Sequence, residues 1–165
     1  TSYENEGRSC RCCSVKGFSK AGKTVNLYVS HMRTGHWQWH GSHRLPGSWF
    51  GPLRNASDLH SLLASRPYLH GRIPPVSDWT ACLLVVTALG EAPPGGHAVK
   101  VKEIVGLADA IRVTVHVRSP APTDLVIQAL TYPVDSVCLR RDLVPTCIPW
   151  IFLDQTGQRL MTDIE

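Results

Sequence analysis

Four of the chain's eight histidines, His31, His36, His40 and His43, fall in one short stretch. Imidazole suits zinc, copper and nickel, so a metal centre is the first chemistry to weigh. His36 to His40 (HWQWH) alternates, with His36, Gln38 and His40 on one side and Trp37 and Trp39 on the other. On a straight strand His36 and His40 would lie about 13 Å apart, too far to share one ion. A closed site also wants four ligands and oriented neighbours behind them. The metal candidates are therefore His36, His40 and His43, with His40 and His43 the best pair, and they require a bend. The simpler reading is a wet strand face of histidines beside a tryptophan-lined core face. We prefer it, and expect no metal or other cofactor.

The six cysteines are Cys10, Cys12, Cys13, Cys82, Cys138 and Cys147. All six are disulfide candidates, because an even count favours a stapled protein from an oxidising compartment. Cys138 and Cys147 flank a proline-containing loop and form the best local pair. Cys12 and Cys13 are adjacent, which fits disulfide geometry poorly. Cys82 sits in an apolar run, where it stays a buried thiol or ties to the N-terminal cluster. A metal site on Cys10, Cys12 and Cys13 lacks the C-x₂-C spacing of zinc ribbons.

Catalytic patterns are thin. There is no G-x-S-x-G elbow for a serine nucleophile. The glycines around Gly95 are not followed by the lysine of a phosphate loop. Asp78, Asp109, Asp124, Asp135 and Glu91 lie among turn residues, where carboxylates satisfy backbone donors. No residue is assigned a catalytic role, and an enzyme is not expected.

The elements that must position these side chains are mostly strands. Thr24 to Ser30 alternates, and Cys82 to Leu89 (CLLVVTAL) is apolar throughout. Ala98 and Lys100 oppose Val99 and Val101, and Ile111, Val113, Val115 and Val117 oppose Arg112, Thr114 and His116. Strict alternation marks strands with one buried face. Glu91 to Gly96 (EAPPGG) must turn, with Gly95 and Gly96 carrying a tight reversal that needs positive φ. Leu45 to Pro52 reads as loop. Leu125 to Leu130 and Ser136 to Leu139 read as short strands, and Ile148 to Leu153 as an apolar segment whose partner returns at Gln158 to Met161. Asn55 opens an N-A-S glycosylation acceptor, but it or Ser57 more simply caps a helix from Ala56 to Ala64. Leu59, Leu62 and Leu63 would lay that helix on a sheet.

Two of these pieces carry a family resemblance. DWTACLLVVTALGEAPPGGHAVKVKEI and SPAPTDLVIQALTYPVDSVCL resemble the C-terminal domain of the PrcB-like family, named for a subunit of a surface protease complex. His97 stands where that family usually has an aromatic residue after the two glycines. The resemblance covers roughly a third of the chain. Its motifs are structural rather than catalytic, so it implies a fold and a secreted accessory role.

The expected fold is mostly β: a β-sandwich or curled antiparallel sheet with one short helix. Thr1 to Lys23 would be a cysteine-rich arm, and residues 24–165 a single PrcB-like β domain. The net charge of +4 is scattered, unlike the one-sided charge of a nucleic-acid surface. No apolar run reaches the ~18 residues of a transmembrane segment. The expected function is that of a secreted or cell-surface accessory protein, exported and non-catalytic, working by association with a protein partner or with copies of itself. A self-assembling extracellular filament subunit, with the arm docked on a neighbour, is one alternative. A metal-binding or hydrolytic enzyme using the His31–His43 cluster is the other.

Overall fold

The computed structural model describes residues 24–41 and 44–164. Cys10, Cys12, Cys13 and His43, and with them the whole arm from Thr1 to Lys23, lie outside the described residues.

The described residues fold into two packed sheets and one α-helix. The strands are β1 (Val25–Val29), β2 (Trp49–Leu53), β3 (Cys82–Ala88), β4 (Ala98–Gly106), β5 (Ile111–Arg118), β6 (Val134–Arg140) and β7 (Trp150–Leu153). The helix, α1, spans Ala56–Ser65. One sheet has the order β1-β4-β5-β7 and the other β2-β3-β6. All pairs are antiparallel except β5 with β7, which is parallel.

Alternation decides the faces. Ile111, Val113, Val115 and Val117 of β5 are fully buried and meet Leu83, Val85, Val137 and Leu139 from the other sheet. The opposite face of β3, with Leu84, Val86 and Ala88, packs under Leu62 of α1 and Leu69 of a short 3-10 turn. With both faces covered, β3 is apolar but for Thr87, whose hydroxyl donates to Asp135 O at 3.2 Å. Asn55 caps α1 by accepting from Asp58 N at 2.8 Å, while the Asp58 carboxylate accepts from Arg54 N at 2.8 Å.

The two sheets touch at a corner. β4 carries a bulge between Val101 and Glu103 in its pairing with β5, while β1 opposes residues 103–106 and Ser30 N donates one step further to Lys102 O at 2.8 Å. Asp135 of β6 meets β4 beyond that point, accepting from Val101 N at 2.8 Å and facing Lys100 Nζ at 3.6 Å. The exposed edge of β2 is closed by the C-terminal residues, with Asp163 N donating to Ser48 O and Phe50 N to Thr162 Oγ1, each at 2.9 Å.

Some expectations need correction. Leu45 to Pro52 is not all loop, because β2 starts at Trp49. Gly51 and Pro52 hide it, but an edge strand tolerates a proline. Leu125 to Leu130 is not a strand. The chain leaves β5 in one sheet and must enter β6 in the other, so the residues between have no ladder to join. His36 to His40 alternates in burial as expected, yet it forms no strand. It is tied to Ser119 instead, which donates from N to Gln38 O at 2.7 Å and accepts at Oγ from His40 N at 3.2 Å.

Candidate interaction surface

The sequence-predicted site residues come together only in part. His36 and His40 line one cleft with Gln38, Arg118 and Asp124, both rings exposed. Among the described residues no three His, Cys, Asp or Glu side chains are grouped to hold a metal ion. His97 Nδ1 donates to Pro94 O at 2.7 Å, and its ring stands edge-on to Trp39 at 5.8 Å.

Cys138 does not pair with Cys147. It is joined to Cys82, with the Cα atoms 6.1 Å apart. The register explains why. Cys82 opposes Arg140 and Leu84 opposes Cys138, so the two cysteines lie diagonally on the same outer face of adjacent strands. Cys147 sits past a 3-10 turn beyond β6, exposed and without a disulfide partner among the described residues. Cys82 is therefore neither a buried thiol nor tied to the N-terminal cluster.

What the fold builds with most care is the connection from β5 to β6, residues 119–133, which we call the elbow. It is long for a connection without regular structure. It lies against the EAPPGG turn through several contacts. Ala92 and Thr131 form a β-bridge, reinforced by Thr131 Oγ1 donating to Ala92 O at 2.8 Å. Gly95 N donates to Ile127 O at 2.9 Å. At Gly95 an added Cβ would lie 2.7 Å from Ile127 Cγ1, and at Gly96, where φ is +93°, 2.8 Å from Val126 Cγ1. Gly96 thus supplies the positive φ that the sequence predicts, whereas Gly95 is needed for close approach.

Both ends of the elbow are pinned. At its start Arg118 pairs with Asp124 at 3.2 Å, and the same carboxylate accepts from Ala121 N at 2.9 Å. At its end Tyr132 stacks on Tyr68 with ring centroids 4.5 Å apart and donates to Glu91 at 3.2 Å. Burial pushes the Tyr68 hydroxyl up to about 12, so it stays a neutral donor to Gly47 O at 2.6 Å.

This anchored elbow holds apolar side chains in water. Leu125 is 104% exposed, Ile127 69% and Leu130 54%. Floppy loops often show apolar residues, but here the backbone is held by named bonds. Three exposed aliphatic side chains thus stand within six positions of one another on backbone held by hydrogen bonds. Sequence reasoning missed this by reading Leu125 to Leu130 as a short strand. The available signal was composition: between Ser119 and Pro133 the only charged residue is Asp124.

Residues 83–139, running from β3 through the turn and the elbow to β6, match the family model described as PrcB C-terminal. This stretch is PrcB-like. No curated protein and no solved structure matches the chain. The PrcB-like segment contains the hairpin β4–β5, the inner strand β3 and the elbow with its glycine turn. β1, β2, α1 and β7 are added around it. No helix among the described residues is long and apolar enough to cross a membrane.

Proposed function

We propose that the protein is an exported, non-catalytic member of a protein assembly and that the elbow is a surface through which it associates. The observation that carries this is the pinned backbone of residues 119–133 presenting Leu125, Ile127 and Leu130 to solvent. A loop ordered for its own fold would turn such side chains inward, since each fully buried aliphatic side chain is worth about 1.5–3 kcal/mol. The Cys82–Cys138 disulfide supports an oxidising compartment. The PrcB-like segment supports an accessory role, because what that resemblance implies is structural.

The test is site-specific photocrosslinking in the full chain, in its native host. A photoreactive residue replaces Leu125, and another replaces the exposed Arg159 as control. Protein adducts at position 125 and not at 159 are expected. Equal labelling at both positions, or none at 125, overturns the reading.

A further inference from the structure

Lysine and arginine are spread along the whole chain, but the carboxylates are not. Between Glu6 and Asp58 there are eight Lys and Arg and no Asp or Glu. Within that stretch, the segment that follows β1 crosses the outer face of the four-stranded sheet. Lys102 of β4 donates from Nζ to Met32 O at 2.5 Å, His116 of β5 meets Thr34 Oγ1 at 2.6 Å, and Ser119 N donates to Gln38 O at 2.7 Å. The crossing brings His36 and His40 beside Arg118, the last residue of β5, in a cleft of about 290 Å³. Trp37, Pro120 and Pro122 give the cleft apolar walls. It is small for a ligand site but has room for a sugar-sized ring.

We propose that this cleft binds an acidic saccharide, a sugar ring carrying a carboxylate or a sulfate. Its side chains fit both halves of such a ligand. Arg118 donates from Nη2 to Asp124 Oδ2 at 3.2 Å, and the same oxygen accepts from Ala121 N at 2.9 Å. Asp124 thereby orients the guanidinium while leaving most of its five N–H donors to an anionic group. The rings of His36 and His40 are exposed, and among the described residues they make no hydrogen bond. Each adds a donor beside Arg118. The second oxygen of Asp124, Oδ1, accepts no hydrogen bond among the described residues. A sugar hydroxyl supplies the donor it needs, whereas a bare anion supplies none and is repelled by the carboxylate. The approach to the cleft is basic, because the crossing segment carries the exposed Arg33 and passes over Lys102. The nearby Glu103 is paired with Arg112 at 3.8 Å. This site does not depend on association through Leu125, Ile127 and Leu130.

The test is isothermal titration of the full-length protein at neutral pH and about 0.15 M salt, where long-range attraction is screened. The probes are a short oligogalacturonate, which carries carboxylates, a dextran sulfate oligomer, which carries sulfates, and a neutral maltooligosaccharide of equal length. Wild type is expected to bind at least one of the acidic sugars, and the one it binds tells carboxylate from sulfate. Arg118→Gln should weaken that binding by roughly tenfold or more. Because Arg118 also holds Asp124, His36→Ala combined with His40→Ala provides a second variant, whose missing rings support no other part of the fold. It should weaken binding by roughly threefold or more. Arg140→Gln removes a positive charge from the other sheet and should bind like wild type. Failure of wild type to bind either acidic sugar overturns the proposal, as does unchanged affinity in either cleft variant. Equally tight binding of the neutral sugar, of polyglutamate or of an oligonucleotide also overturns it.

Discussion

The side chain of Gln155 brackets the backbone of Val117. Val117 N donates to Gln155 Oε1 at 3.0 Å, and Gln155 Nε2 donates back to Val117 O at 2.7 Å. β7 stops at Leu153 opposite Thr114, so on that side β5 runs on without a strand beside it. One amide side chain takes the place of that strand. Its Nε2 also reaches Trp37 O at 3.3 Å, which ties in the tryptophan segment. Replacing Gln155 by Ala leaves a buried N–H and C=O unpaired, and the expected loss is about 1–3 kcal/mol. Gln155→Glu keeps an acceptor for Val117 N but loses the donors, so it should not restore wild-type stability. Urea unfolding of the two variants checks this; an unchanged midpoint in Gln155→Ala would show that water replaces the side chain at no cost.

Gly96 is the hinge on which the elbow rests. At φ +93° a β-branched residue is strained, and its Cβ would also meet Val126 and Pro120 at 2.8 and 3.2 Å. Gly96→Val should destabilise by at least ~1 kcal/mol. The effect should also be local, because Val126 belongs to the elbow. Hydrogen exchange at Gly95 N, which is bonded to Ile127 O, is expected to speed up more than exchange in β5. Uniform acceleration along the chain would mean that the turn and the elbow do not form a unit.

The turn and the strands were legible because period-two alternation and glycine-proline chemistry are local. Ile111 to Val117 declares its buried face without any knowledge of its neighbours, and Asn55 and Ser57 announce a cap that the structure places on Asn55. The disulfide was not legible, because Cys82 and Cys138 are 56 positions apart in sequence and meet only through the β3–β6 register. The elbow was misread for a related reason. Leu125 and Ile127 alternate like a strand, and only the crossing between sheets shows that no partner strand is there. Gln155 could not be found at all from its own surroundings, since its role is fixed by where β7 happens to end.

Peptide mapping of the unreduced protein should recover Cys82 linked to Cys138, and native alkylation should label neither. The linkage crosses two neighbouring strands on the outer face of their sheet. Replacing both cysteines by Ser removes a constraint on the unfolded chain typically worth about 2–4 kcal/mol. Recovery of a Cys138–Cys147 peptide would overturn the register drawn here for β6.

Stability should also depend on pH through His116. Its ring, half-buried on the outer side of β5, meets Thr34 Oγ1 at 2.6 Å through Nδ1. Burial holds its pKa below the usual imidazole value. A hydrogen bond to the Thr34 backbone raises it in partial opposition, Lys102 lowers it further, and Glu103 raises it. Glu103 is itself shared with Arg112 at 3.8 Å, which weakens its pull on the ring. In the unfolded chain His116 titrates near 6.5. Below that pH the unfolded state takes up a proton that the folded state resists, so stability falls with decreasing pH. The contribution is complete above about 6.5, declines as pH drops through that value, and levels off below the folded pKa. Exposure of part of the ring makes the effect modest. His116→Gln keeps a hydrogen-bonding group but cannot titrate, so carboxylates and other histidines act equally in both proteins. Urea unfolding at about pH 7.5 and about pH 5 should show a larger loss for wild type than for the variant. Equal losses would mean that the Thr34 contact survives protonation of the ring.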